Sequence, residues 1–489
     1  MTEPGTVSRR RPARPARTTG ATASRARRLI ALAAGTALFL GHLPLAPLAP
    51  GPAQAQQGGV QSIPIVRDAE IEELVREYMR PILAAAGLRS QNIQAVIVND
   101  RSFNAFVADG RRIFVNVGAL FESETPNQII GVLAHETGHI AGGHLARMRE
   151  QMAGAQTASI VAILLGLGAA AAGAAAGASG VGQALPGLIA GPQELVRRSL
   201  LSYVRQQEAA ADIAAVDYLN KTRQSSRGML ETFQRMADQT LFLSRSVDPY
   251  TMSHPMPRER IIALENAARK SSFFNATDSP ELRLRHNLMR AKISGYTERP
   301  ESVMRRYPPS DTSLPARYAR AISDYRTGNL RSALPQIDSL IAAHPNNAYF
   351  HELRGRALVE SGQAQAAIAS LRRAISLRDS PLIRMSLGQA LVQSGDRANA
   401  NEAVNVLRRA LQEEPEASLG YRQLAFALSR SGDNARAALA SAQASFHEGD
   451  IPTARQLAAR ARQDFRKGSP EWLRAQDIVE YRPPQIGQN

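Results

Sequence analysis

The chain has 489 residues, 44% of them apolar and 21% charged, an ordinary globular composition with room for two to four domains. Its formal net charge is +16, but the first 55 residues hold eight arginines against one glutamate and leave only about +9 for the rest. No basic stripe is interleaved with aromatics, which argues against nucleic acid as a partner. There is no cysteine and hence no disulfide, which neither requires nor excludes an oxidising compartment.

The N-terminus has the grammar of a cleaved secretory signal over 1–55. A basic region ends at Arg27-Arg28, an apolar run follows from Leu29 to Leu40, and Pro52-Ala53-Gln54-Ala55 offers an A-x-A site. The apolar run is short of the ~20 residues a membrane span needs. A Gly-rich linker is expected over 56–65. From Asp68 to Ala86 the spacing of Ile71, Leu74, Val75, Tyr78 and Ile82 predicts a helix stopped by Gly87. Ile93 to Val98 and Arg112 to Val117 alternate as strands. Asn104-Ala-Phe106 and Asp109-Gly110 between them read as a turn that would make the two strands antiparallel. An edge strand here would accept an extended peptide by β-augmentation, and Ile113, Phe114, Val115, Asn116 and Val117 are the expected substrate strand.

A helix from Pro126 leads into His135-Glu136-Thr137-Gly138-His139, the order H-E-x-x-H. Positions i and i+4 share one helical face, so His135 and His139 can direct imidazoles at one ion. Glu136 lies about 100° round the helix, within reach of a water on that ion. This is the zinc-peptidase arrangement of two neutral nitrogen ligands and a carboxylate base. Taken alone, the five residues also fit two surface histidines on an ordinary helix.

Catalytic zinc needs a third protein ligand and an open position. A histidine six positions after His139 would complete one common pattern, but Leu145 stands there. His144 is one residue out of register and reads as structural or solvent-facing. A later helix offers Glu208 and Asp212, four apart on one face, with Arg205 one turn upstream. Two stacked carboxylates repel unless a cation or donors sit opposite. Zinc and the ring N–H of a ligating histidine meet that need, with Glu208 as ligand and Asp212 as the acceptor that orients an imidazole. A solvated acidic face is the alternative.

Between the second and third ligands, 156–191 is Ala/Gly-rich and almost uncharged, with Gly182 to Pro186 reading as a turn. It is expected as a buried helical hairpin acting as a lid; contact with a membrane surface or unfolded substrate is the alternative. Downstream, Ser253-His-Pro-Met-Pro257 holds His254 in a Pro-stiffened loop. His254 either fills the open zinc position as a fourth ligand and latency switch, or binds substrate or packs structurally.

His135-Glu136-x-x-His139 followed by Arg205-x-x-Glu208-x-x-x-Asp212 resembles the HtpX/CAAX-prenyl-protease-like family of gluzincin zinc peptidases. Asn104-Ala-Phe106, Ile113 to Gly118, and His254-Pro255 with Arg260 resemble that family's substrate-side strands and its H-P-x-x-x-x-R element. Val204 and Ala210 depart from its more usual serine and glutamate. The likeness is nearest to the periplasmic branch that serves β-barrel assembly and adds C-terminal repeats. It implies one Zn2+ per chain held by His135, His139 and Glu208, Glu136 as general base, and Asp212 as a catalytic proton donor. It further implies misassembled or unfolded outer-membrane proteins as substrates and the β-barrel assembly machinery as partner.

From about 311 the texture changes to short amphipathic helices. Gly328, Gly362, Gly395 and Gly432 are separated by 34, 33 and 37 residues, with Ala333, Ala367 and Ala437 each five residues on. This is the tetratricopeptide period, in about four units. Gly449 follows after only 17 residues, which offsets the array by half a repeat, and Trp472 to Ile478 reads as a cap.

The expected fold is thus an α+β zincin-type domain, mostly helical with a small β-sheet, over 66–270. Connecting helices over 271–310, an all-α tetratricopeptide solenoid over 311–480 and a tail over 481–489 follow. The expected function is a periplasmic zinc endopeptidase in quality control of outer-membrane protein assembly. A chaperone or adaptor with residual proteolysis and a membrane-surface protease are the competing classes.

Overall fold

The computed structural model describes residues 64–151, 181–242 and 249–483. The signal, most of the linker, the first part of the apolar insertion and the end of the tail lie outside the described residues. So do the side chains of 181–200, 239–242, 249 and 252.

Helix α1 (Ala69–Ala85) starts where Asp68 caps it, the carboxylate accepting from the Glu70 and Ile71 backbone N–H groups at 3.1 Å. All five residues named by the helical spacing are buried on it. Gly87 ends the turn at φ +73°. The sheet comprises β1 (Ile65–Val66), β2 (Gln94–Val98), β3 (Ala105–Val107) and β4 (Arg112–Asn116) in the order β1-β2-β4-β3.

Two expectations fail here. β2 and β4 are parallel, with Ile97 opposite Val115, not antiparallel. The Asp109-Gly110 turn is real, its Asp109 Oδ1 accepting from Arg111 N and Arg112 N at 3.0 Å, but it joins β3 to β4. Because Asn104-Ala-Phe106 supplies an extra strand, the chain reverses twice between β2 and β4, and two reversals leave them parallel. As a result Ile113–Val117 is not an edge: β4 is flanked by β2 and β3, and Val117 already begins helix α2 (Val117–Glu122). The edges of the sheet are β1 and β3.

Helix α3 (Pro126–Ala141) is buried from Gln128 through Gly138 and lies against β3, α4 (Val181–Lys221) and α5 (Arg227–Phe242). The expected turn at Gly182 to Pro186 is absent, since α4 runs helically through it. Once a helix is nucleated each further residue adds a bond, and a proline removes one bond without compelling a reversal. Short α6 (Pro249–Ser253) and α7 (Arg258–Arg269) follow, and α8 (Pro280–Thr297) and α9 (Pro300–Arg306) lead on toward the repeats, Val303 of α9 packing in the repeat-side core. Among the described residues no helix is long and apolar enough to cross a membrane.

Helix α8 belongs to two cores, Met289 and Ile293 facing the peptidase side and Leu288 and Ala291 the repeat side. Its His286 is clamped between Tyr78 Oη (3.0 Å) and the Ser123 carbonyl (2.7 Å), and burial lowers its pKa to about 4. The repeats run as α10 (Leu314–Arg326), α11 (Leu330–Ala343), α12 (Ala348–Glu360), α13 (Ala364–Leu377), α14 (Pro381–Gln393), α15 (Arg397–Glu413), α16 (Ser418–Ser431), α17 (Asn434–His447), α18 (Ile451–Gln463) and α19 (Pro470–Glu480). The start of α1 is docked into this array. Glu70 accepts from Tyr318 Oη at 2.9 Å, Glu73 from Tyr349 Oη at 2.8 Å, and Ala69 packs on Ala374 and Ile383.

Lys292 of α8 ties the junction together, its Nζ lying 2.8 Å from Asp68 and 3.2 Å from Glu70 with only 3% of the side chain exposed. Burial alone would raise the pKa of Asp68, but the ammonium holds it below its ordinary value. Removing one member of such a buried group leaves the others uncompensated. Lys292→Ala is therefore expected to destabilise the chain by about 3–5 kcal/mol in chemical denaturation; a loss under ~1 kcal/mol would refute the cluster's structural role.

Candidate metal centre

α3 and α4 cross closely because Gly138 faces α4. A Cβ there would lie 2.9 Å from the Ala211 carbonyl oxygen, so only glycine admits the contact. That approach sets Glu208 and Asp212 of α4, 4% and 2% exposed, against His135 and His139 of α3. His135 Nε2 lies 3.0 Å from His139 Nε2 and 3.3 Å from Glu208 Oε2, and His139 Nε2 is 3.4 Å from Glu208 Oε1. His254, delivered by the turn after α6, brings Nδ1 to 3.1 Å from both Glu208 oxygens and 3.3 Å from His135 Nε2. Donors about 2.0–2.1 Å from a tetrahedral zinc stand about 3.3–3.4 Å apart. The four donors therefore fit that ion in type and in spacing, and His135, His139, Glu208 and His254 are the described residues grouped so as to hold a metal.

The neighbours of the cluster are charge-matched. Arg260 donates through Nε (2.6 Å) and Nη2 (2.8 Å) to Asp212, and its Nη1 stands 2.9 Å from Glu208 Oε2 and from the Pro255 carbonyl oxygen. One guanidinium thus offsets two buried carboxylates and fastens the loop bearing His254. Arg205, named from sequence as the nearby cation, is exposed instead.

Asp212 Oδ1 also faces His135 Nδ1 at 2.9 Å. With both oxygens committed, and with Arg260 and His135 holding its pKa down against burial, Asp212 stays ionised. Its place behind His135 suits the orienting role expected from the sequence.

Glu136 is fully buried, Oε1 accepting from Tyr250 Oη at 3.4 Å and lying 3.6 Å from His254 Nε2. Its Oε2 carries no hydrogen bond in the described structure. Burial raises its pKa, opposed by His254 and His135, which moves a carboxylate toward the range useful to a general base. Tyr250 also stacks on His254, ring centroids 4.5 Å apart. Sequence reasoning missed Tyr250, whose only trace is its position four residues before His254. Of the two readings given for His144, structural or solvent-facing, the second is excluded: the residue is 7% exposed and places Nδ1 3.0 Å from His139 Nδ1.

Burial would lower the pKa of His135, but Asp212 and Glu208 raise it to about 9. An imidazole must be unprotonated to ligate, so zinc competes with this proton below pH 9. Zinc affinity is expected to climb by about tenfold per pH unit from pH 7 toward 9 on this account, as chelator competition would measure. A flat profile would contradict the assignment.

Residues 66–268 match the model of peptidase family M48, and residues 318–382 match a tetratricopeptide repeat model. Over 367 residues the chain is 24% identical to the beta-barrel assembly-enhancing protease of Escherichia coli (strain K12), covering 74% of this chain and 73% of that protein. The protein of the same name from Yersinia pestis is 24% identical over 379 residues, covering 76% and 75%. This chain carries a zinc-dependent metallopeptidase domain of family M48 followed by tetratricopeptide repeats.

Proposed function

We propose that the protein is a periplasmic zinc endopeptidase acting in quality control of outer-membrane protein assembly, with His135, His139 and Glu208 as its zinc ligands. The observation that carries this is the convergence of three α3 and α4 donors within 3.4 Å of one another beside the buried, unpartnered Glu136 Oε2. Zinc bound there would polarise a peptide carbonyl and acidify water. Glu136 accepts the proton of the attacking water at Oε2 and passes it to the leaving amine. Asp212 and Arg260 keep His135 and Glu208 in place throughout. His254 occupies the remaining donor position and holds the enzyme latent until its loop moves.

The peptide pairs with the outer edge of β3, Ala105–Val107, which closes the sheet on the α3 side. The two relatives' names and the repeats, whose stacked helices form a surface suited to protein partners, support this client class and assembly-machinery partners. Zinc content and casein cleavage test the reading. The mature chain is expected to hold one zinc and to cleave; Glu208→Gln should fall well below full occupancy, and zinc retained at one per chain would remove Glu208 from the ligand set.

A further inference from the structure

Two adjacent glycines follow directly on the helix that carries His139. α3 ends at Ala141, Gly143 turns at φ +62°, and the chain re-enters helix at His144. A Cβ on Gly142 would fall 2.2 Å from His144 Nε2 and 2.5 Å from its Cδ2, well inside van der Waals contact. The pair therefore does two things: Gly143 supplies a left-handed residue, and Gly142 leaves the volume into which the His144 ring folds.

The ring returns against the end of α3, its centroid 5.0 Å from that of His139 and the planes at 84°. There His144 Nδ1 lies 3.0 Å from His139 Nδ1. Two imidazole nitrogens at that distance need one donor and one acceptor. His139 Nε2 faces the donor cluster and must keep its lone pair for a metal, so the His139 proton sits on Nδ1. His144 Nδ1 accepts it, and the proton of His144 is on Nε2. On the other flank Asp212 Oδ1 stands 2.9 Å from His135 Nδ1.

We propose that His144 is a positioning residue of the metal centre: by accepting the His139 Nδ1–H it fixes His139 as an Nε2 donor, and Gly142-Gly143 admits it to that place. The inference rests on the zinc assignment above. An acceptor behind a ligating histidine orients the ring and strengthens it as a donor, and its loss costs roughly 10- to 100-fold in metal affinity.

The test uses the full mature chain, with zinc affinity measured by chelator competition and the absorption spectrum recorded after cobalt(II) substitution. His144→Leu is expected to weaken zinc binding roughly 10- to 100-fold and to alter the cobalt spectrum. In His144→Asn the side-chain oxygen stands near the lost Nδ1, so most of the affinity should return. Gly142→Ala, which changes no polar atom, should reproduce the His144→Leu defect by displacing the ring. Unchanged affinity and spectrum in His144→Leu would overturn the inference, as would His144→Asn binding no better than His144→Leu. Wild-type protein that takes up no zinc would overturn the centre itself, and the inference with it.

Discussion

Glu136→Gln is expected to lower peptide cleavage by about 10²–10⁴-fold while leaving zinc at one per chain. The substitution keeps the size of the side chain and the oxygen that accepts from Tyr250, but removes the basic oxygen. Glu136 stands outside the four-donor group, 3.6 Å from His254 and beyond the ring of His135, His139 and Glu208 contacts. Its carboxylate is therefore free to take a proton, and its burial raises the affinity for one. Casein hydrolysis and zinc analysis on one preparation separate the roles. Loss of zinc together with activity would make Glu136 a ligand, and full activity would remove it from the reaction. The same variant decides between protease and chaperone: outer-membrane protein maturation that survives in cells expressing it would mean that the repeats carry the function without cleavage.

What was legible in the sequence was whatever repeats at short range. H-E-x-x-H and the Glu208/Asp212 pair are i,i+4 patterns, and helix geometry alone puts each pair on one face. The glycine ladder from Gly328 to Gly432 was readable for the same reason, since each of these residues adopts positive φ between consecutive helices. The sheet was not. Alternation shows which faces of Ile113–Asn116 are buried, but says nothing about which strands flank it, and β3 was too short to register as a strand.

Arg260 is a similar case. Its spacing from His254 was visible, but its clamp on Asp212 joins α7 to α4 across 48 residues, and the same guanidinium reaches Glu208. The contact of His144 with His139 was hidden for a different reason. Register along the helix speaks only to direct ligation, and a residue that acts through His139 need not keep it.

His254→Ala is expected to raise peptidase activity by about tenfold or more. His254 Nδ1 meets both oxygens of Glu208, Nε2 approaches Glu136, and the ring is stacked on Tyr250. In the proposed reading it thus stands at the donor position a substrate carbonyl would take and beside the base, Glu136. A preference of ~1.5–3 kcal/mol for the closed form would keep the open form to about 1–10% of molecules, and deleting the imidazole releases the remainder. The methyl group that replaces it has no donor, so the centre falls back on His135, His139 and Glu208, which is the three-ligand arrangement a catalytic zinc requires. Arg260 keeps its hold on both carboxylates in the variant, so the rest of the site is expected to persist. Casein hydrolysis at matched zinc occupancy provides the measurement. A rate equal to or below wild type would sink the latency role and leave His254 as a substrate-binding or structural histidine.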